Sequence, residues 1–401
     1  MNLTTRRKNL IILMPLFVVI VAMMAIPSYQ LLVKARGQAF DLFWIWAGGQ
    51  AILRGENPYG PDTTRVIQLG VFKKIIPPHQ YQHGFPHPAH IAFVLLPFAA
   101  LPFFWSIIIW LSLQIPLFMV ILLLGFDLLK WPVRPLWLFA LTMLALLGFR
   151  YPINAYVVGQ LTFFIIFCFV LSAWFFKENH PRWSAVALAC ATIRPDLALL
   201  AILTALFLIR RSPRRVAFMT TLLITGLIFF ILPAMFIGFW PLIWLQALQS
   251  YGANPFATWP PGLLPALWLR VGLLLLLAAW AGRYIFLAWQ QPNLKHNCFM
   301  TSAIILFGLM VLPQTGSYNL TFCLIPAFIL IRYTRSKWLR VIIAASLLMP
   351  WFYFALNEPF DVLIFLLIPG QFILFQEVVQ VLDNRHPAER PTESTYSSAR
   401  I

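Results

Sequence analysis

Charged residues are scarce in this chain of 401 residues, since Asp, Glu, Lys and Arg together make up only 10% of it. A water-soluble domain carries about 25%, so the composition excludes a soluble enzyme. Hydrophobic residues make up 61%, and the mean hydropathy is +0.81. We therefore predict an all-α polytopic integral membrane protein with about 11–12 membrane helices, the number that the apolar share allows at ~20 residues per helix.

Cofactor motifs are also missing. The four cysteines show no CxxC spacing, which excludes a zinc site of that type. The glycines form neither a phosphate-binding loop nor a dinucleotide fingerprint, so a soluble nucleotide donor is not supported. A group of histidines follows shortly after the first apolar stretch, but prolines interrupt it and prevent a common helical face. We assign no cofactor and no metal. These histidines are His79, His83, His87 and His90.

Acidic residues are few, 12 against 29 Lys and Arg, which leaves a net charge of +17. Most of this excess falls in short segments between apolar runs, as the positive-inside rule requires of cytoplasmic loops. The charge therefore indicates membrane orientation and not a nucleic-acid partner. We predict a multi-pass protein of the plasma (inner) membrane with both termini cytoplasmic, and a polar cytoplasmic tail over residues 383–401.

The longest predicted outer segment, residues 33–102, follows the first apolar stretch. Within it, residues 41–54 and 91–101 are apolar but too short to span, which predicts helices lying at the membrane surface. Asp41 heads the first of them. Its carboxylate has two interpretations: an N-cap that bonds the first-turn amides, or a general base in a cleft at the membrane surface.

Arg194 interrupts an apolar segment, residues 183–209, which has basic residues at both ends. Two short helices that meet at a turn therefore fit better than one span. A guanidinium at such a position is costly and usually marks a partner. An internal ion pair with Asp196 and a phosphate ligand, matched by the planar guanidinium fork, are both open interpretations.

Four stretches in this order resemble a known family. Asp41 is followed by a G-x-x-P-Y turn that ends at Tyr59, a proline-rich stretch surrounds His87, Asn154 precedes a Gly-Gln pair, and Arg194 precedes Pro195. Together they resemble the GT-C membrane glycosyltransferases, most closely glycosyltransferase family 87, which includes polyprenyl-phosphate-mannose-dependent mannosyltransferases.

The resemblance implies one GT-C-like transmembrane domain over residues 1–382. It implies an enzyme that moves a sugar from a polyprenyl-phosphate-linked donor to a lipid or glycan acceptor at the outer face of the membrane. The sugar is a hexose, for which mannose is the first candidate, or a pentose. The configuration of the anomeric carbon is inverted. Asp41 would be the catalytic base and Arg194 the donor-phosphate ligand. The implied substrate cleft contains Tyr59, His87, Asn154, Gln160, Gln314 and Tyr318.

One departure from the family pattern concerns the late outer turn, residues 313–319, which lacks the histidine that mannosyltransferase relatives often carry. Besides the donor and the acceptor, the expected partners are membrane lipids, with no nucleic acid. Two alternatives belong to other classes: a polytopic membrane transporter without glycosyl transfer, and a non-enzymatic membrane assembly partner.

Overall fold

The computed structural model describes residues 25–34, 40–251, 258–313, 316–355 and 363–385, together with residues 19, 22 and 23. Within these ranges every regular element is helical, which confirms the predicted all-α class. A π-helical turn at Ser28–Val33 comes first. The α-helices that follow are α1 Leu42–Leu53, α2 Pro61–Phe72, α3 His90–Val94, α4 Leu96–Ala99, α5 Phe103–Leu128, α6 Pro135–Gly148, α7 Arg150–Val157, α8 Thr162–Lys177, α9 Pro181–Cys190, α10 Pro195–Ile209, α11 Arg215–Ile237, α12 Trp240–Tyr251, α13 Leu267–Gln290, α14 Leu294–Val311, α15 Leu324–Tyr333, α16 Lys337–Ser346, α17 Met349–Ala355 and α18 Ile364–Arg385.

Five of these helices, α5, α11, α13, α14 and α18, are long and apolar enough to cross a bilayer. A sixth candidate is formed by α6 and α7, which meet at a bend of 82°. The chain is thus a polytopic membrane protein. By length and composition the described residues hold five or six full-length candidate spans, and shorter apolar helices of 10–17 residues accompany them, among them α1, α8 and α10.

Three observed helices go beyond what the sequence predicts. Helix α2 was not predicted, because it lacks a long apolar run; Gly60 and Pro61 start it. Helix α12 was not predicted either. Helix α18 continues to Arg385. Residues 386–401 and half of the first apolar stretch, residues 10–33, lie outside the described residues.

The chain divides into two compact units. The first comprises Met1–Trp259 and Leu312–Thr321. In it, α8 packs against α5 and α9, and α9 packs against α11. A buried apolar cluster between α9, α10 and α11 holds these helices together, and it contains Ala185, Leu188, Ile209 and Phe218.

The second unit comprises Pro260–Val311 and Phe322–Ile401. A carboxylate on α18, that of Glu377, binds α13. Glu377 accepts hydrogen bonds from the Trp280 indole at 2.8 Å and the Tyr284 hydroxyl at 2.8 Å, and it pairs with Arg283 at 2.9 Å. Since polar groups in helices that span a membrane need internal partners, this cluster links α18 to α13, and both helices pack against α14.

Two glycines let α1 pack closely against the rest of residues 33–102, which we call the outer loop. A Cβ added at Gly48 would lie 2.7 Å from the Phe85 ring, and one at Gly49 would lie 2.5 Å from the Ala99 Cβ. The Trp46 indole reinforces the contact by donating to the Leu101 carbonyl at 2.9 Å. Helix α1 is therefore held tightly against the segment that carries α3 and α4.

Substitution of Gly49 by alanine tests this packing. Because the Ala99 methyl group cannot rotate away, we expect Gly49→Ala to destabilise the protein by about 1–3 kcal/mol, the usual cost of overpacking. The matched control is Gly226→Ala in α11, where an added Cβ meets nothing within 4 Å and the exchange is neutral or stabilising by up to about 1 kcal/mol. Thermal unfolding in detergent measures both; equal midpoints for the two variants would contradict the packing.

Candidate functional site

Asp41 lies at the head of α1, as predicted, but its side chain does not cap that helix. The Gln160 amide nitrogen donates a hydrogen bond to Asp41 Oδ2 instead. The Asp41 backbone N–H donates to the Val158 carbonyl at 2.9 Å. Of the two interpretations that the sequence left open, the N-cap is therefore wrong. The carboxylate is held by a segment more than one hundred residues further along the chain.

The partner segment is a tight turn between α7 and α8. Gly159 has φ = +70°, a conformation that other residues adopt with strain. Its carbonyl accepts a hydrogen bond from the buried Trp110 indole at 3.1 Å. The Gln160 side chain is only 8% exposed, and its Oε1 accepts from the Leu161 N–H at 3.3 Å. The Gly-Gln pair thus aims a fixed amide donor at Asp41.

Asn154, on α7, connects this region to the late outer turn. Its Nδ2 donates to Ser317 Oγ at 3.0 Å, which places it one residue from Tyr318. In that turn a Cβ at Gly316 would collide with the Tyr318 ring, so a side chain there would require the ring to move. The predicted cleft residue Gln314 lies outside the described residues.

Tyr59 and His87 lie together. The Tyr59 hydroxyl donates to the His87 carbonyl at 2.8 Å, and its ring lies 5.4 Å from the Phe85 ring. Burial raises the pKa of the Tyr59 hydroxyl above its usual range. The hydroxyl therefore remains protonated at physiological pH, and its present role is to hold the proline-rich stretch.

Arg194 is buried, with 8% of its surface exposed. It forms a two-point ion pair with Asp196, in which Nε lies 3.1 Å from Oδ1 and Nη2 lies 2.8 Å from Oδ2. Pro195 starts α10 directly after Arg194, which brings the two side chains to the same turn. The ion pair considered from the sequence is therefore present.

His87 lies within electrostatic reach of this pair. Burial lowers the pKa of His87 to about 3, and the positive charge of Arg194 acts in the same direction, while Asp196 opposes it. The imidazole is thus neutral at physiological pH. His87, Arg194 and Asp196 form one group, which we call the arginine group.

A second histidine, His90, contacts Thr192, which lies two residues before Arg194. The Thr192 hydroxyl donates to the Ala189 carbonyl at 2.6 Å, so its contact of 3.1 Å with His90 Nε2 requires the proton on Nε2 of His90. The ring stacks on Phe229 at 5.4 Å. Sequence reasoning missed Thr192 and Trp110, since neither residue belongs to a charged or proline-rich motif.

Comparison with known proteins places the chain in a family. The fold defines a polytopic membrane protein with several polar contacts between distant segments. The model of glycosyltransferase family 87 matches residues 85–313. Because this is more than half of the chain, the protein belongs to glycosyltransferase family 87 and is a membrane glycosyltransferase. No curated protein and no solved structure matches it.

The match contains His87, Asn154, Gln160 and Arg194, whereas Asp41 and Tyr59 precede it. The contact between Gln160 and Asp41 is thus what ties Asp41 to the matched region. In the described part of the chain, no group of three His, Cys, Asp or Glu side chains is arranged to hold a metal ion.

The low pKa of His87 predicts a pH-dependent stability. Between about pH 6.5 and 3 the unfolded chain binds a proton at His87 that the folded protein does not bind, so folding weakens as the pH falls through this window. We expect a loss of about 1–2 kcal/mol at pH 5 relative to pH 7.5, since one pKa unit corresponds to about 1.4 kcal/mol.

His87→Asn removes this component and keeps the backbone carbonyl that Tyr59 uses. Unfolding midpoints of the wild type and of the variant therefore converge as the pH is lowered from 7.5 to 5. His79→Asn, at an exposed position in the same loop, is the control and leaves the pH dependence as in the wild type. Parallel pH profiles for the wild type and His87→Asn would be inconsistent with a neutral buried imidazole.

Proposed function

We propose that this protein transfers a sugar from a polyprenyl-phosphate-linked donor to a hydroxyl group of a lipid or glycan acceptor at the outer face of the plasma membrane. The sugar is a hexose, for which mannose is the first candidate, or a pentose. The observation that carries the proposal is the Asp41 carboxylate, which is withdrawn from capping α1 and held by Gln160 at a surface helix. Family membership favours this function over a transporter or an assembly partner.

The reaction needs one base. Asp41 takes the proton of the acceptor hydroxyl while the oxygen of that hydroxyl attacks the anomeric carbon. The bond from that carbon to the phosphate oxygen breaks in the same step. Polyprenyl phosphate leaves with the electron pair. Because phosphate is a good leaving group, no general acid is required. A single displacement inverts the anomeric carbon, whereas glycoside hydrolases use a pair of carboxylates.

Gln160, predicted as a cleft residue, takes a different role in this mechanism. Its amide donates to Asp41, and the Gly159 turn fixes its position. We therefore assign Gln160 as a positioning residue, which orients the carboxylate so that one oxygen faces the acceptor. The benefit of such fixed geometry appears in the chemical step and not in substrate binding.

Arg194 is the proposed ligand of the donor phosphate, with Asp196 as its permanent partner. A buried guanidinium is costly by itself, and a carboxylate partner offsets that cost. Arg presents several N–H donors in a planar fork, which suits two anions at once. As the phosphate gains charge during departure, the guanidinium stabilises it. Tyr59, His87, Asn154, Gln314 and Tyr318 stay predictions as cleft residues.

Replacement of Asp41 is the experiment for the proposed function. We expect Asp41→Asn to lower sugar transfer by about 10²–10⁴-fold, the usual contribution of a general base, with the fold intact. The assay uses proteoliposomes, polyprenyl-phosphate-linked hexoses and pentoses, and a total lipid extract as acceptor. Asp62→Asn, an exposed acid at the start of α2, is the control with wild-type activity. Full transfer by Asp41→Asn would rule out the base.

The variant Gln160→Met is measured in the same assay. Methionine is similar in size to glutamine but cannot donate a hydrogen bond to Asp41. For a positioning residue, kcat falls about 10–100-fold while KM for donor and acceptor is unchanged. Gln80→Met, at an exposed site in the outer loop, leaves both constants as in the wild type. A rise in KM with unchanged kcat would show that Gln160 binds a substrate and does not position Asp41.

The role of Arg194 is tested without leaving a buried charge unpaired. Arg194→Gln alone strands Asp196, so the double variant Arg194→Gln/Asp196→Asn keeps the turn neutral and preserves the fold. We expect its KM for the polyprenyl-phosphate donor to rise about tenfold or more, in line with loss of a charge-assisted contact. Asp62→Asn, which removes an exposed carboxylate on α2, is the control and leaves the donor KM as in the wild type. Unchanged donor KM in the double variant would show that the pair is structural alone.

A further inference from the structure

A cleft of about 410 Å³ opens at the far end of α8 from Gln160. Its lining includes Asn179, His180, Arg182, Trp183 and Arg214, from the turn before α9 and the turn before α11. We call it the basic cleft. Since α8 has 16 residues and rises ~1.5 Å per residue, the basic cleft lies roughly 24 Å along the helix from Asp41. It is separate from the proposed catalytic site.

The charges of the basic cleft are not balanced locally. Arg182 and Arg214 are exposed, and within the described part of the chain neither guanidinium has a hydrogen bond or a carboxylate partner. The turn at 210–215 holds three further arginines and no acid, and the turn at 177–182 holds one acid, Glu178. Lys177 is already paired with Asp127 at 2.6 Å. The basic cleft therefore attracts an anion.

An apolar surface adjoins these charges. Trp183 is 61% exposed, and Val216 and Leu223 on α11 are 68% and 64% exposed. Only 6% of the apolar stretch of α11 is buried inside the protein, so this helix faces lipid along its length. The arginines thus lie at the end of an acyl-chain surface, with an aromatic side chain at the interface, where Trp is favoured.

We propose that the basic cleft binds the headgroup of an anionic membrane lipid, with Arg182 and Arg214 on its phosphate and an acyl chain along the exposed face of α11. A soluble anion would gain nothing from that apolar face, which favours a lipid. Arginine-rich turns are typical of the cytoplasmic side, where the anionic lipids of the inner leaflet attract such clusters. The inference does not depend on the proposed reaction.

Native mass spectrometry of the purified full-length protein in neutral detergent tests the proposal, with phosphatidylglycerol and phosphatidylcholine of equal chain length as probes. The wild type binds phosphatidylglycerol more tightly. Arg182→Gln/Arg214→Gln weakens that binding about 25-fold, since each arginine near an anionic lipid contributes about 1 kcal/mol, or about fivefold. Arg134→Gln/Arg335→Gln, which removes two exposed arginines elsewhere, leaves it unchanged.

Three results would overturn the proposal. Equal affinity for the two lipids excludes a preference for the anionic headgroup. Equal weakening by the Arg134/Arg335 control shows net charge alone to be responsible. Displacement of the lipid by glycerol phosphate or inorganic phosphate at similar concentrations shows a site for free anions and not for a lipid. Thermal unfolding of each variant confirms that the fold is kept, and sugar transfer by the Arg182/Arg214 variant provides a second check of integrity.

Discussion

The hydrogen bond from Gln160 to the carboxylate of Asp41 is the contact on which the organisation of the outer site depends. It joins two residues 119 positions apart and is reinforced by the Asp41 N–H on the Val158 carbonyl. A buried amide donor needs an acceptor, and Asp41 supplies one. The same contact turns the carboxylate away from the first amides of α1. A residue type that usually starts a helix is thereby made available for chemistry.

Few charged groups lie near Arg194, and the structure shows how each of them is supported. Arg194 is matched by Asp196, burial keeps the neighbouring His87 neutral, and Thr192 fixes the tautomer of His90. The turn at Arg194 thus shows the internal pair, one of the two interpretations that the sequence allowed; the phosphate ligand stays a proposal. In the proposed reaction the pair holds the guanidinium in position before the donor arrives.

Much of the fold could be predicted from the sequence because its signals are local. The apolar run of α5, the short apolar helix headed by Asp41 and the break at Pro195 follow from composition and from the properties of proline. Helix α2 could not be predicted in this way, because it is neither long nor strongly apolar. The four motifs were recognisable one by one. That Gln160 binds Asp41, and that Thr192 binds His90, depends on packing between distant segments, which one sequence does not reveal.

The anomeric configuration of the product tests the central claim most directly, since a single base acting on a phosphate-linked sugar allows only one displacement. The purified protein would be given a polyprenyl-phosphate-linked sugar of known configuration, and the new glycosidic bond would be assigned by NMR. The account predicts an inverted anomeric carbon and one polyprenyl phosphate released for each sugar transferred. A retained configuration would exclude a single in-line displacement and would contradict the assignment of Asp41 as the base in that step.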